Sequence, residues 1–594
     1  MPVSPSYPGI YIEELPSTSH TIAAAPTSIA VFVGYTHPFK TNQFDKAVEL
    51  FSFTDYEREF GGLYNGALLD DNVAQAVNQF FINGGGQAYV VGLKAQITPE
   101  SRSSGGITFT ALEPTDITPI EVAISTADGL VGNLTVTYGN RPPEIYRSVS
   151  VDMTHGATPN DFIITRMSGS AYVTTEIDLR LKDATGTMSP AIASTTLGGV
   201  TFHRKPLATN PITITITNAT GDGQEADIKI NDAPTTGSAI SETYTSVSLD
   251  PSNNNPHYIV TALQGSALVS LGASDVVAAP SLTATTLRLQ PLSPPAVAAF
   301  NPIPFNAVFD TDKDLDKLPI FNILVLPGVS DNGVLSTALA FAERKRAFMI
   351  IDPPSDRVAG QDAALGINEY MTGPTSPKSP NGALYFPYLK TSDPLSGSPI
   401  SLPPSGYVAG IFARTDNNRG VWKAPAGLET TVLNTTGVVD DGRMNDMRQG
   451  VLNLAGINCL RTFPAVGTVV FGSRTLVSAN VAYEQWKYVP VRRMALFIEQ
   501  TLYSNLTWAV FEPNDEPLWI ALRTSVENFM LSLFSNGAFQ GSKPSEAFLV
   551  RCDKSTTTQT DINNGVVNII VAFAPLKPAE FVIVKIAQLA GQVQ

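Results

Sequence analysis

The fold is decided by the stretch Phe321-Asn-Ile-Leu-Val-Leu326, the helical pattern from Val334 to Arg346 and the stretch Ala347-Phe-Met-Ile-Ile-Asp352. The first and last of these contain the uninterrupted apolar runs 323–326 and 347–351, which are typical of strands buried on both faces of a parallel sheet. The middle pattern has apolar residues at helical spacing and ends in a basic run that complements the helix dipole. Together the three stretches predict a β-α-β unit.

A second α/β pattern lies nearer the N-terminus. The sequence predicts a strand over 28–34, an amphipathic helix over 72–81 and a further strand over 88–91. The glycines Gly84 to Gly86 follow the helix and precede a strand, whereas the glycines of a phosphate-binding loop precede a helix. We therefore interpret them as a helix stop and a turn.

The composition changes between residues 96 and 300, where the chain is rich in Thr, Ser and Ala. Apolar and polar residues alternate there, as in 133–138 and 211–217, and turn residues separate the runs. This pattern predicts a β-rich surface insertion at 96–300 with one or two sandwich-like subdomains. The α/β core is then split into 21–95 and 301–455.

Residues 456–594 are predicted to form a C-terminal α/β domain. Its clearest helix runs from Pro517 to Phe534 and carries a buried apolar stripe. The chain then ends in two predicted strands, 566–574 and 581–586. The second of these lies in a predicted C-terminal arm, 575–594.

Both ends of the chain carry apolar ribbons set off by proline, Pro5–Glu14 and Phe581–Ile586. An unpaired strand exposes backbone groups that pair with another chain, and strands donated head to tail build rings or helical arrays. We therefore predict an assembly protein with an N-terminal arm at 1–20; the open alternative is pairing within one subunit. The predicted fold class is a multidomain α/β (α+β) protein with a split α/β core, a sandwich-like insertion and a C-terminal domain completed by exchanged terminal strands.

The composition limits the partners and the compartment. The net charge is −15 with a pI of about 4.9, which argues against nucleic acid as a partner because phosphate binding needs basic patches. The two cysteines, Cys459 and Cys552, lie beside apolar runs and are predicted to be buried free thiols in a reducing compartment. We expect no signal peptide and no direct membrane insertion, since the sequence has neither a basic and apolar leader nor a long apolar run.

No catalytic, cofactor or metal site is predicted. All five histidines precede residue 258, so the best α/β unit has no nearby general base. Ser330 follows a strand, but its glycines are one residue too far apart for a nucleophile elbow. Asp310, Asp312 and Asp314 have calcium-loop spacing without the required Gly and Glu. An α/β hydrolase carrying a β-sandwich remains the enzymatic alternative.

Five stretches carry a family resemblance, in this order along the chain: Ser6–Glu14, Arg419–Ala426, Gly456–Arg461, Lys487–Arg493 and Ala574–Phe581. They closely resemble the tail sheath proteins of contractile phage tails and phage-tail-like injection systems. The resemblance lies before residue 96 and after residue 304. The stretch 96–300 resembles no family that we can name.

The resemblance implies a structural protein without enzymatic activity or cofactor. Sheath subunits of this family stack as hexameric rings around an inner tube, and a metastable helical assembly contracts to drive the tube through a cell envelope. The implied partners are further copies of the chain, the inner tube protein, baseplate and terminal cap proteins and, as an option, a second sheath paralogue. Assembly is expected in the bacterial cytoplasm, as part of a phage tail or tail-like particle.

The resemblance also assigns residues. In the family, terminal arms complete a sheet in neighbouring subunits, which here gives the N-terminal arm residues Ile10, Tyr11, Ile12 and Glu13. The C-terminal arm residues are Phe581, Val582, Ile583, Val584 and Ile586. A helix of the C-terminal domain faces the tube, with Arg523, Glu527 and Asn528 as candidate contacts. Another structural polymer, such as a baseplate component, is the alternative within the same class.

Overall fold

A computed structural model describes residues 20–586 except for 39, 65–67, 97–98, 113–117, 128, 152–158, 178–180, 182–183, 207, 209, 221–222, 233, 235–238, 250–254, 277–280, 291–298, 358–362 and 440–443. The described residues form two compact units. One is drawn from 1–65, 69–96 and 299–594, and the other from 66–68 and 97–298.

The first unit is built on an eight-stranded sheet. In spatial order its strands are Ala47–Leu50, Ala88–Leu93, Ala30–Tyr35, Ile323–Val325, Phe348–Ile351, Gly382–Phe386, Ile457–Phe463 and Gly467–Val470. The inner pairs are parallel, and only the two pairs at the sheet's ends are antiparallel. The predicted β-α-β unit and the predicted N-terminal strands therefore share one sheet.

Helices cover both faces of this sheet. On one face Phe32 packs in a core with helices Asn72–Ile82 and Ser405–Arg419, and on the other Val31 and Val33 pack with helix Asn332–Arg344. Alternate residues of one strand thus enter opposite cores, as a parallel sheet requires. The remaining helices of this unit are Phe53–Phe60, Pro302–Val308, Asp314–Lys317, Ala363–Thr372, Asp446–Leu454, Val489–Asn505, Glu516–Ser535, Pro544–Ala547 and Gln559–Asn563.

Two small sheets complete the unit. One contains Pro399–Leu402, Leu389–Ser392 and Gly437–Val438, and the other pairs Phe548–Arg551 with Ile570–Phe573. Cys459 and Cys552 are buried free thiols, as predicted.

The core sheet continues past the predicted domain boundary at 455. Strands Ile457–Phe463 and Gly467–Val470 extend it beyond Gly382–Phe386. These strands follow helix Asp446–Leu454 after a single glycine turn at Gly456, whose φ is 84°. The connection is too short to separate two domains, so the sheet determines where this part of the chain belongs.

A buried ion pair joins the C-terminal helices to this core. Arg493 Nη1 and Nη2 donate to Asp416 Oδ1 and Oδ2 at 2.9 and 2.6 Å, and both side chains are at most 3% exposed. Arg493 Nη2 also donates to the backbone oxygen of Thr27 at 3.1 Å. Breaking such a buried pair typically costs about 3–5 kcal/mol. The pair therefore fixes helix Val489–Asn505 against helix Ser405–Arg419.

In its described residues the second unit has two short α-helices, Ile163–Met167 and Ile259–Ala262, and two pairs of facing sheets. One pair consists of the four strands Thr285–Leu289, Ile120–Thr126, Val131–Tyr138 and Glu144–Ser150 and the three strands Ser101–Ser104, Ile107–Ala111 and Val173–Ile177. The other consists of the four strands Ala184–Met188, Ile212–Thr217, Glu225–Asp232 and Ser241–Ser248 and the three strands Ser194–Leu197, Val200–Arg204 and Val269–Ser270. Each pair encloses its own apolar core.

Candidate functional site

A small antiparallel sheet precedes the C-terminal segment. It consists of Phe548–Arg551 and Ile570–Phe573. Among the described strands no third one joins it, although Phe539 and Pro575 form an isolated bridge beside it. Two-stranded sheets are marginally stable in water, and open strand edges accept further strands. The sheet can therefore take strands from outside the subunit.

Beyond this sheet the chain is fixed again at Glu580. Its carboxylate accepts hydrogen bonds from Arg474 Nε and Nη2 at 2.8 and 2.7 Å, from Asn453 Nδ2 at 2.6 Å and from the Tyr488 hydroxyl at 3.1 Å. The side chains of Arg474 and Glu580 are 5% and 18% exposed. A bidentate pair with two further donors fixes orientation as well as distance.

Three elements of the core present these donors. Asn453 lies in helix Asp446–Leu454, Arg474 follows the edge strand Gly467–Val470, and Tyr488 precedes helix Val489–Asn505. Arg474 Nη1 also donates to the backbone oxygen of Asn453 at 2.8 Å. The donors are therefore held in place independently of Glu580, and we call these four side chains (Asn453, Arg474, Tyr488 and Glu580) the anchor.

The anchor keeps Glu580 ionised. Burial disfavours the charged carboxylate, but hydrogen bonds from Arg474, Asn453 and Tyr488, together with the Arg474 charge, outweigh burial and lower the pKa of Glu580. Burial and the nearby carboxylate raise the pKa of Tyr488, which keeps its hydroxyl protonated as a donor. At neutral pH the anchor is thus fully formed.

Directly after the anchor the chain is apolar and exposed. The exposed fractions are 71% for Phe581, 82% for Val582, 83% for Ile583, 75% for Val584 and 92% for Ile586. The segment has no regular secondary structure in the single subunit, which differs from the predicted strand. A strand needs a paired neighbour for its backbone groups, and no described strand of the same subunit lies alongside.

A groove of about 850 Å³ borders the anchor. Its lining includes Trp422, Arg461, Tyr488 and the segment 576–581. These residues come from four of the five stretches that carry the family resemblance. Stretches far apart in the sequence therefore meet at one place, where the C-terminal segment leaves the core.

The N-terminal segment runs along the same C-terminal domain. His20 stacks on Trp508 with ring centroids 3.9 Å apart. The backbone nitrogen of Ala23 donates to Asn505 Oδ1 at 3.1 Å, and Asn505 Nδ2 donates to the backbone oxygen of Ala23 at 2.9 Å. The predicted arm residues Ile10, Tyr11, Ile12 and Glu13 lie outside the described residues.

The candidate tube contacts lie on helix Glu516–Ser535. Its buried side carries apolar residues such as Leu522, Val526 and Met530. Arg523 and Glu527 are partly exposed and lie 4.0 Å apart as an i, i+4 pair, while Asn528 is exposed. The three candidates are therefore available to a partner, and none of them is among the residues that line the groove.

Sequence reasoning missed the anchor. Glu580 and Tyr488 lie inside stretches quoted for the resemblance, yet nothing local pairs either of them with Arg474. The available signal was an acidic residue placed between a proline-rich linker and an apolar run, because such a charge in a partly buried position needs a cation.

The described helices include none that is both long and apolar enough to cross a membrane.

Comparison with protein families gives two consecutive matches. The phage tail sheath protein central domain matches residues 313–476, and the phage tail sheath C-terminal domain matches residues 482–588. The border between them agrees with the extension of the core sheet to Val470.

Two curated relatives are also described as tail sheath proteins. A putative prophage major tail sheath protein of Pseudomonas aeruginosa (strain UCBPP-PA14) is 27% identical over 263 residues, which are 43% of this chain and 62% of that protein. The tail sheath protein of Burkholderia phage BcepMu is 27% identical over 229 residues, which are 37% of this chain and 46% of that protein. The chain thus spans less than two thirds of the length of these relatives.

Solved structures share the fold over almost the whole chain. The sheath complex of an extracellular contractile injection system, PVC, in its contracted state has a TM-score of 0.52 at 20% identity and covers 99% of this chain and 98% of that one. The contracted helical sheath of the anti-feeding prophage has a TM-score of 0.51 at 20% identity and covers 98% of this chain and 100% of that one. The resemblance to contractile tail sheath proteins is thereby confirmed for residues 313–476 and 482–588, which match the two sheath domains.

Proposed function

We propose that this protein is the structural subunit of a contractile sheath, which polymerises as stacked hexameric rings around an inner tube and contracts to drive the tube through a target cell envelope. The observation that carries the proposal is the exposed apolar segment 581–586, anchored at Glu580 in a subunit whose small sheet has open edges. In the proposed assembly this segment is the C-terminal arm, and it adds a strand to the small sheet of a neighbouring subunit. Ile10, Tyr11, Ile12 and Glu13 form the N-terminal arm.

The energetics favour a neighbouring subunit as the arm's partner. Burying one large apolar side chain stabilises by roughly 1.5–3 kcal/mol, and five such side chains are exposed here. Ordering the backbone costs about 1–2 kcal/mol for each residue. The free energy gained by burying the side chains and the free energy lost on ordering the backbone are therefore of similar size. The arm is held firmly only where burial is combined with strand pairing.

The anchor explains how subunits stay linked while they move. Glu580 fixes one end of the arm to its own core, and the strand fixes the other end to the neighbour. The chain therefore has to change direction only where Glu580 joins Phe581 when the rings rotate. Contraction then needs no nucleotide, because an extended lattice of higher free energy relaxes to a contracted one.

The partners follow from the same proposal. Two similar solved structures are described as baseplates of the anti-feeding prophage, and two as contracted sheaths. This supports self-assembly and association with a baseplate. We include the inner tube protein, a terminal cap protein and an optional second sheath paralogue as partners, with assembly in the bacterial cytoplasm. A baseplate component is the second candidate, and it differs in forming no long polymer alone.

The first prediction concerns polymerisation. The protein expressed alone is expected to form long hollow tubules of uniform width in electron micrographs. Val582→Asp should abolish the tubules, because a charge enters the apolar strand, while the thermal unfolding of the monomer stays unchanged.

Lys585→Gln is the matched control on the same arm and should still form tubules, and removal of residues 1–16 tests the N-terminal arm in the same way. A wild-type protein that remains monomeric at high concentration would contradict the sheath proposal. If Val582→Asp still forms tubules, the proposed role of the C-terminal arm is contradicted, but the sheath proposal is not.

The second prediction concerns the anchor. A nitroxide attached through Ala579→Cys should be strongly restricted in electron paramagnetic resonance spectra of the monomer, and Glu580→Gln should release it, because the ion pair with Arg474 is lost. The folded-state pKa of Glu580 is lowered, so anchoring is complete above the ordinary Glu value of about 4.3 and is lost as the pH falls through the lowered value. The same release is therefore expected on acidification.

A nitroxide at Ile586→Cys serves as the control and should be mobile in every condition. Equal restriction at position 579 with and without Glu580→Gln would show that the anchor does not hold the segment.

The third prediction concerns the tube. We propose that helix Glu516–Ser535 contacts the inner tube through Arg523, Glu527 and Asn528. Glu527→Lys should leave tubule formation intact but reduce co-assembly with the tube protein at least tenfold in sedimentation. Glu499→Lys is the matched control, since the Glu499 side chain is 45% exposed and that of Glu527 is 47% exposed. Equal co-assembly of the two variants would exclude Glu527 as a tube contact.

A further inference from the structure

Two parts of the second unit share sequence at matching places. Glu144-Ile-Tyr-Arg-Ser-Val-Ser150 corresponds to Glu242-Thr-Tyr-Thr-Ser-Val-Ser248, and Gly105-Gly-Ile-Thr-Phe109 corresponds to Gly198-Gly-Val-Thr-Phe202. A third pair lies downstream, with Gly-Ser-Ala-Tyr-Val at 169–173 and Gly-Ser-Ala-Leu-Val at 265–269. The three matches occur in the same order in both parts.

The structural elements correspond as well. In each part a hairpin across the paired glycines is followed by three strands, a short helix and one further strand. The helices are Ile163–Met167 and Ile259–Ala262, and the further strands are Val173–Ile177 and Val269–Ser270. In both parts the further strand pairs with the second strand of the hairpin. The topology is therefore the same in both parts.

One hydrogen-bond network is built twice. Glu144 Oε2 accepts from the hydroxyls of Ser170 and Tyr146 at 2.7 and 2.9 Å, and Oε1 accepts from the backbone nitrogen of Ala171 at 2.8 Å. These contacts tie the turn after the short helix to the strand Glu144–Ser150.

The second part repeats each contact. Glu242 Oε2 accepts from Ser266 and Tyr244 at 2.5 and 3.1 Å, and Oε1 accepts from the backbone nitrogen of Ala267 at 2.7 Å. A network of three donors on one carboxylate, reproduced atom for atom, indicates a common design.

An unusual backbone conformation also recurs. Ser148 and Ser246 have φ values of 52° and 49°, in the left-handed region that non-glycine residues rarely adopt. Their backbone nitrogens donate to Asn133 Oδ1 at 3.0 Å and to Asp227 Oδ1 at 2.8 Å. The strand pairing is irregular at the same place in both parts.

Each part also has an edge strand, which occupies the same place in its four-stranded sheet but a different place in the order of the chain. Strand Thr285–Leu289 pairs with Ile120–Thr126, and strand Ala184–Met188 pairs with Ile212–Thr217. Three residues before each strand a leucine nitrogen donates to the oxygen of a turn glycine, Leu282 to Gly129 at 2.6 Å and Leu181 to Gly223 at 2.8 Å. The edge strand of the first part therefore follows the rest of that part in the chain, whereas the edge strand of the second part precedes the rest of its part.

The two points where the chain leaves and re-enters the first part are adjacent. Ile177 pairs with Ile107, and the backbone nitrogen of Ser281 donates to the backbone oxygen of Gly105 at 2.9 Å. Both points thus lie beside the same hairpin turn. Adjacent ends are the condition under which a whole domain can be inserted into another.

We infer that the second unit consists of two copies of one β-sandwich module, with a contiguous inserted copy, 181–276, set into a host copy, 101–177 with 281–289. The inserted copy is independently stable, and the host copy closes without it. The carboxylate that the two copies share, Glu144 or Glu242, locks each copy separately. This inference does not depend on the sheath function.

The test is hydrogen exchange of the full chain followed by mass spectrometry. Glu144→Ala should speed exchange about tenfold or more in 101–177 and also in 285–289, while 181–276 stays protected. Glu242→Ala should give the converse result. Loss of protection in both copies from either substitution would overturn the inference.

Glu121→Gln is the control, because it removes only an exposed pair with Arg288 in the host copy. A second variant deletes 181–276 from the full chain and leaves 178–180 and 277–280 as the connection. The host strands should keep the exchange protection of the wild type. Unprotected host strands in this variant would show that the host copy needs the inserted one, which contradicts the nested arrangement.

Discussion

The constraint on which the proposed assembly depends is an apolar segment that is fixed at one end and unpaired along its length. Glu580 is held by Arg474, Asn453 and Tyr488, and the five apolar side chains that follow are at least 71% exposed. Within the described chain, no strand of the same subunit pairs with them. Exposed apolar segments that can adopt a strand conformation readily pair with other chains. In the proposed assembly the anchor sets where that association begins, and the open edges of the small sheet, formed by Phe548–Arg551 and Ile570–Phe573, accept the segment.

A rigid core is the condition for such an anchor. The eight-stranded sheet carries Arg474 just beyond its edge strand, and the buried Arg493–Asp416 pair fixes the helix that follows Tyr488. In the proposed assembly, the contacts of Glu580 with Arg474 connect the arm to this core. The stretches that carry the family resemblance and line the groove lie at this same place, where the C-terminal segment leaves the core. The duplicated modules form a unit of their own, with separate cores and separate locks.

The sequence predicted elements whose signal is local. The helix expected over 334–346 is Asn332–Arg344, and the strand expected over 347–352 is Phe348–Ile351, because continuous apolar runs and helical spacing report burial directly. The anchor could not be predicted, since Arg474 and Glu580 are 106 residues apart and a single ion pair leaves no periodic pattern. The duplication is hard to detect in the sequence, because the positions that the two parts share are few and lie within Thr-rich strands. The predicted boundary at 455 falls within the chain of the core sheet, because the pairing of Ile457–Phe463 with Gly382–Phe386 is a long-range contact that leaves no local pattern.

The central claim is that the segment after Glu580 becomes a strand of a neighbouring subunit. A cryo-electron microscopy reconstruction of the assembled polymer tests it most directly. The account predicts continuous density from Glu580 into a strand formed by 581–586, hydrogen-bonded to an edge of the sheet that contains Phe548–Arg551 and Ile570–Phe573 of the adjacent subunit. Density showing 581–586 paired within its own subunit, or projecting freely into solvent, would contradict the account.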